Sequence, residues 1–488
     1  MQEQTLSTAY DSKEPLQGLD TYIEKLLSDW NAPGLALAIV KDDVVVLAKG
    51  CGVRRAGEET PIDEHTVFGV GSVTKAFTAA AVALLVDERK VQWDDPVIKH
   101  LPDFQLYDPY VTRELTVKDL LCARSGLNGG DMLAYGTGYT RDEIVYRLRY
   151  LKPTLGFRAA QGSYTFMFLV AGQLVAALTG QSWDEFVLER ILKPLGMSSS
   201  YTTLDAILHL ENVITPHARI DGKLQPISWD NTDNVGPGGS LKSTAVDLAQ
   251  WLRLHLGEGT YNGARLLSSE VVREMHSPQI ISNSYLSRLF HPEALFINYG
   301  LGWYVADYRG RKILNHGGAT NGMGAFIAML PQEHLGLIIT SNVSFTPQMF
   351  VALQLRVFDA YLGAPERDWS AEFLPMWKGE QAMQEEARAK RERQRIPGTK
   401  PSLALEQYAG TYEDTFYGEV TVKWENEKLV FRYGSAFVGE LEHWHYDTFK
   451  AAWQGPFLGT SLVTFSFDMY GKIDGVKVPY LAEFKRKA

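Results

Sequence analysis

Ser72 and Lys75 stand three residues apart in Ser72-Val-Thr-Lys75, a spacing that places a hydroxyl and an amine on one face of a helix. A serine hydroxyl is a weak nucleophile until an adjacent base takes its proton, and a lysine pressed into apolar surroundings has its pKa lowered toward that task. The stretch Val73–Val86 is almost unbroken Ala, Val and Leu after Lys75, which predicts a helix buried on most sides and opened by Gly71-Ser72. At such a helix start the backbone N–H of Ser72 points outward, where it can hold a developing oxyanion. The same four residues also suit a simple N-cap serine followed by a solvated lysine, so their surroundings must decide.

Those surroundings are legible as elements. Gly34–Val40 and Val44–Ala48, joined by Lys41-Asp-Asp43, read as a hairpin. Val117–Ala123, Arg141–Leu151, Met167–Thr179 and Trp183–Leu192 recur near 3.6 residues and form a helical block between about 119 and 210. Tyr299–Val305, Lys312–Asn315, Gly324–Leu330 and Gly336–Ser341 return to short strands, expected to join the first hairpin in one antiparallel sheet. A charge-dense helical stretch, Met376–Arg395, is followed by Ile396-Pro-Gly-Thr-Lys-Pro401 and reads as a connector. Alternation at Val420, Val422 and Trp424 and at Leu429, Phe431 and Tyr433, with further runs at Leu462–Phe467 and Ile473–Val478, predicts a small β-barrel or meander.

The chain has 488 residues, of which 45% are hydrophobic and 22% charged. That composition is globular, and the length implies more than one core. A formal charge of −10 and the absence of a long basic run argue against nucleic acid as a partner. No stretch reaches the apolar length of a membrane span. Met1–Asp20 shows no charged and apolar leader pattern, so the expected location is the cytoplasm, or the periplasm or exterior if a signal preceded it. Two cysteines, Cys51 and Cys122, exclude a disulfide scaffold and a four-cysteine zinc site; a single bridge or two buried thiols remain. His443, His445 and Asp447 alternate and could share a strand face, but a polar, solvated face is the simpler reading. Neither a metal nor another cofactor is expected.

Phe68-Gly-Val-Gly-Ser-Val-Thr-Lys75 closely resembles the active-site helix opening of the class C β-lactamase, penicillin-binding-protein and esterase superfamily. Leu115-Thr-Val-Lys-Asp-Leu-Leu-Cys-Ala-Arg-Ser-Gly-Leu127, Gly162-Ser-Tyr-Thr-Phe166, Gly236–Trp251 and Asn315-His-Gly-Gly318 follow in that superfamily's order. The likeness covers roughly residues 15 to 362. It implies an α/β (α+β) fold: an antiparallel sheet flanked by helices, with an all-helical lobe at about 100–240. The implied division is a β-lactamase-like hydrolase domain over 1–362, a connector over 363–402 and a barrel over 403–488. Leu405–Tyr412 in the last resembles the lipocalin-like tail behind many such hydrolases.

The resemblance also implies roles. Tyr164 would work with Lys75 as general base, and His316 would hydrogen-bond to Tyr164 or to a substrate carboxylate. The amides of Ser72 and Ala319 would form the oxyanion hole. Phe166, Gly317 and Gly318 would line the substrate site, the glycines allowing substrate backbone to approach closely. Phe166 replaces the Asn of the superfamily's Tyr-x-Asn element, and His316 stands where β-lactamases carry lysine, so efficient β-lactam hydrolysis is not expected. The expected activity is acyl-enzyme hydrolysis of short peptides or small amides. The alternatives are a carboxylesterase with the same residues and a non-catalytic binder or sensor. The expected partner is a small molecule or short peptide, and a homo-oligomer is compatible with the sequence.

Overall fold

The computed structural model describes residues 15–162, 165–220, 222–455 and 458–487. By internal contacts they fall into two compact units. One takes in the chain up to Phe104, Tyr110–Asn128 and Pro153–Trp377; the other takes in Gln105–Pro109, Gly129–Lys152 and the chain from Lys378 onward.

The first unit is built on an eight-stranded sheet. Its strands are β1 (Gly34–Lys41), β2 (Val44–Gly52), β3 (Ile280–Ile281), β4 (Ile297–Tyr299), β5 (Tyr304–Tyr308), β6 (Arg311–Thr320), β7 (Met323–Leu330) and β8 (Leu335–Ser341). They lie in the order β2-β1-β8-β7-β6-β5-β4-β3, antiparallel throughout. The predicted first hairpin is present, and Asp42 and Asp43 both take positive φ, the conformation a tight hairpin turn needs to match strand twist. β1 and β8 are nearly continuous Ala, Val, Leu and Ile and are buried along their length, because helices cover the sheet. The predicted strand Tyr299–Val305 is instead two strands and a turn. Gly302 takes φ +79 and the Gly300 N–H donates to the Trp303 carbonyl at 2.7 Å, reversing the chain between β4 and β5.

The helix Thr74–Asp87 is buried on nearly every side, with Phe77 stacked on Trp251 at 3.9 Å between ring centroids. The helix Thr165–Thr179 crosses it. Gly172 on the latter makes room for Pro237, since a Cβ there would lie 2.2 Å from the Pro237 ring. Among the described residues no single helix is long and apolar enough to cross a membrane.

In the second unit β9 (Gly410–Asp414), β10 (Gly418–Glu425), β11 (Lys428–Tyr433), β12 (Phe437–His445), β13 (Thr448–Ala452), β14 (Thr460–Phe467), β15 (Ile473–Lys477) and β16 (Glu483–Arg486) close an antiparallel barrel. The predicted alternation sets its register: Val422 pairs with Phe431 and Trp424 with Leu429. Aromatic rings fill the interior, including Tyr412, Phe431, Tyr433, Phe449, Phe465 and Phe484. The segment Gly129–Lys152 belongs to this unit: the Tyr139 hydroxyl donates to the Tyr417 carbonyl at 3.0 Å, and the Ser435 N–H donates to the Gly136 carbonyl at 2.7 Å. The connector helix runs over Trp369–Arg393, starting earlier than its charge density suggests because the Asp368 carboxylate accepts from the Ala371 N–H at 3.0 Å.

Cys51 and Cys122 are both free thiols. His443 and Asp447 are spent on the barrel itself: His443 Nε2 bonds the Tyr446 carbonyl at 2.9 Å, and Asp447 accepts from Ser402 and from the Tyr408 hydroxyl. His445 Nδ1 accepts from the Ile396 N–H at 3.4 Å.

Five buried histidines give the fold a pH dependence. Burial pushes the pKa values of His255, His291 and His316 from 6.5 to about 3, and it also lowers those of His276 and His217. His255 and His276 bond each other through Nδ1 and Nε2 at 3.0 Å. The unfolded chain takes up protons on these rings near pH 6.5, while in the folded chain His255, His291 and His316 do not until near pH 3 and His217 and His276 are shifted the same way, so stability falls as pH drops below 6.5. At pH 5 each group shifted from 6.5 to about 3 removes roughly 2 kcal/mol. The urea midpoint is therefore expected to fall steeply between pH 7 and pH 5; an unchanged midpoint contradicts the burial of these rings as neutral imidazoles.

Candidate active site

Ser72 lies in a 3-10 turn, Gly71–Val73, that leads directly into the helix Thr74–Asp87. In a 3-10 turn residues i and i+3 eclipse, and the Lys75 Nζ accordingly donates to the Ser72 Oγ at 2.8 Å. Lys75 is fully buried, and its Nζ lies 5.8 Å from the centroid of the Phe168 ring. The Nζ also donates to the Gly238 carbonyl at 2.6 Å, while Thr78 one turn later donates to the Pro237 carbonyl at 2.7 Å. The segment Gly236–Gly239 is thus stitched to the nucleophile's helix by two side chains.

β6 passes the same turn from the other side. Gly71 has φ +51, and a Cβ on it would lie 2.7 Å from the Ala319 nitrogen; a Cβ on Gly318 would lie 1.9 Å from the Val70 oxygen and 3.1 Å from the Ser72 nitrogen. These two missing side chains let strand and turn meet backbone to backbone, with the peptide units of Ser72 and Ala319 on the facing segments. The two glycines after His316 were expected to admit a substrate backbone. A side chain at Gly318 would meet the nucleophile's own turn, and one at Gly317 would meet the rings of Phe290 and Phe345, 2.6 and 2.7 Å from where a Cβ would sit.

His316 is buried on β6 beside Tyr299 and Tyr304. Its Nδ1 lies 2.7 Å from the Gly317 carbonyl and its Nε2 2.9 Å from the Tyr299 hydroxyl. A carbonyl only accepts, so Nδ1 carries the proton, and in the neutral ring Nε2 accepts from the Tyr299 O–H. Burial, reinforced by the Lys75 charge, pushes this imidazole down to about 3. Changing Tyr299 to Phe is expected to leave a buried acceptor without this donor and to cost about 1–3 kcal/mol in chemical denaturation; no measurable loss would show that the bond is not made.

Phe166 is buried in the first turn of the helix Thr165–Thr179. Tyr164 lies outside the described residues. The loop before it is tied down through Asp119, which accepts from Arg124 and from Arg158 Nη2 at 2.7 Å and caps its own helix through Thr116. The Gly162 N–H donates to the Ala123 carbonyl at 2.8 Å. Motif reading missed Tyr299 and the Gly238 carbonyl. The glycines that follow Tyr299, Gly300 and Gly302, and the Gly-Pro-Gly-Gly run were the available signals, since both mark close backbone approach.

Known proteins agree with this fold. The beta-lactamase family model matches residues 19–362, and a domain of unknown function (DUF3471) matches residues 394–488. An unguisins hydrolase of Aspergillus campestris (strain IBT 28561) is 28% identical over 452 residues, covering 87% of this chain and 80% of that protein. Penicillin-binding protein 4 of Amycolatopsis lactamdurans is 28% identical over 338 residues, covering 68% of this chain and 86% of its own. Among solved structures, an octameric penicillin-binding protein homologue from Pyrococcus abyssi superposes with a TM-score of 0.64 at 22% identity, over 97% of this chain and 100% of its own. SurE with D-Leu superposes with a TM-score of 0.56 at 19% identity, over 96% and 99%; these two likenesses concern the fold. A family match over most of the chain, on a sheet and helix that hold Ser72 against Lys75, shows that this protein belongs to the beta-lactamase family of hydrolases.

Proposed function

We propose that this hydrolase forms an acyl-enzyme on Ser72 and acts on amide bonds of short peptides or small amides. The observation that carries the reading is the buried Lys75 Nζ, 2.8 Å from the Ser72 Oγ, at a turn where the Ala319 amide converges. Lys75, with Tyr164 as the resemblance implies, takes the Ser72 proton as Oγ bonds the carbonyl carbon. The amides of Ser72 and Ala319 hold the oxyanion. The C–N bond then breaks and the amine leaves with that proton. Water attacks the ester, its proton passing back to Ser72 as the acid departs.

A relative called an unguisins hydrolase supports hydrolysis, and a structural neighbour solved with D-Leu supports a substrate that carries an amino-acid unit of D configuration. The octameric homologue supports a homo-oligomer. Turnover of an amino-acid p-nitroanilide, abolished in Ser72→Ala, is the expected result. Turnover of p-nitrophenyl esters alone would make the protein a carboxylesterase, and no turnover of either would make it a binder.

A further inference from the structure

β6 borders Ser72 with a run that offers a substrate no charge and almost no side chain. His316 keeps its Nδ1 proton for the Gly317 carbonyl and its Nε2 for the Tyr299 hydroxyl. Gly317 and Gly318 have no side chain, and where one would project the space is taken by Phe290, Phe345 and the Val70 carbonyl. Ala319 adds only a methyl, and Thr320 a single uncharged hydroxyl whose oxygen is buried. At the hairpin tip just beyond, Asn321 donates to the Asp230 carboxyl group, which burial pushes above the usual carboxylate range. Among the described residues two buried lysines belong to the surrounding elements, and both serve other acceptors: Lys75 the Ser72 Oγ and Gly238 carbonyl, Lys242 the Asp233 carboxylate at 3.1 Å.

Building on the reading of Ser72 as acyl acceptor, we infer that the cleft selects substrates whose portion lying along β6 carries no carboxylate: amidated, esterified or ring-closed peptides and small amides, rather than peptides cut beside a free C-terminus. A carboxylate laid on this strand would lose its water beside a neutral ring and glycine backbone, with an acid rather than a base at the far end. An unpaired charge is the costliest group to bury. An amide or ester asks only for hydrogen bonds, which strand backbone can supply.

The test uses the full-length protein and D- and L-alanine tripeptides, each as free acid and as carboxamide, with kcat/KM read from product masses. The carboxamide is expected to be preferred by tenfold or more in the series that is turned over. Equal rates, or a preference for the acid, overturn the inference. Turnover of neither overturns it as well if a fluorophosphonate still labels Ser72; if Ser72 takes no label, the acyl-acceptor reading itself falls. A His316→Lys variant that folds is expected to bring the preference down at least tenfold by supplying the missing charge; an unchanged preference in that variant would overturn the role given to β6.

Discussion

Replacing Lys75 by methionine is expected to lower kcat by a factor of about 10²–10⁴, the contribution of a positioned proton acceptor, while the protein stays folded. Methionine fills much of the same volume beside Phe168 and the alanines of the helix, so the packing survives. What is lost is the donor to the Ser72 Oγ and to the Gly238 carbonyl. The orphaned carbonyl costs about 1–3 kcal/mol, offset in part because a buried polar amine no longer has to be dehydrated. Lys75→Arg separates charge from proton transfer. A guanidinium keeps the positive charge but does not give up its proton in proteins, so this variant is expected to be nearly as impaired. An arginine enzyme with most of the wild-type rate would mean that Lys75 acts only as a charge.

The second large effect is expected at Gly318. A Cβ there would lie 1.9 Å from the Val70 oxygen and 2.9 Å from the Val70 carbonyl carbon, and neither can swing away as a flexible side chain could. Gly318→Ala must therefore push β6 off the turn that carries Ser72. Overpacking of this kind costs about 1–3 kcal/mol. In the proposed mechanism, displacing the Ala319 amide from the Ser72 amide removes one oxyanion donor, a loss of about 10²–10³ in kcat. Gly310 is the internal control: it takes φ +75 with no atom within 4 Å of a would-be Cβ. Gly310→Ala should cost only its backbone strain and leave kcat unchanged. Equal kcat losses in the two variants would show that strand placement does not govern the chemistry.

Much of this architecture is written in local pattern. The hairpin Gly34–Ala48 declares itself by apolar runs around Asp42-Asp43, and the helix after Ser72 by unbroken small apolar residues, because a strand or helix buried on both sides has no polar face to mark. The barrel is legible because one wall of each strand faces aromatics and the other water. The break in Tyr299–Val305 was hidden, since Gly302 is a turn residue only when its φ is known. The Ser72–Lys75 contact was legible as spacing. The bond from Tyr299 to His316 was not: residues 17 apart in sequence meet through β4, β5 and β6, and only register reveals it. Register likewise shows that Gly318 makes room for the Val70–Ser72 turn.

The central claim is that Ser72 is the acyl acceptor. Its most direct test is peptide mapping by mass spectrometry after brief exposure to a fluorophosphonate probe, run on the wild-type protein and on Ser72→Ala. One adduct per chain on the peptide carrying Ser72, absent from Ser72→Ala together with turnover, is the predicted result. Turnover that persists in Ser72→Ala, or a label on another residue that tracks the loss of activity, would contradict the account.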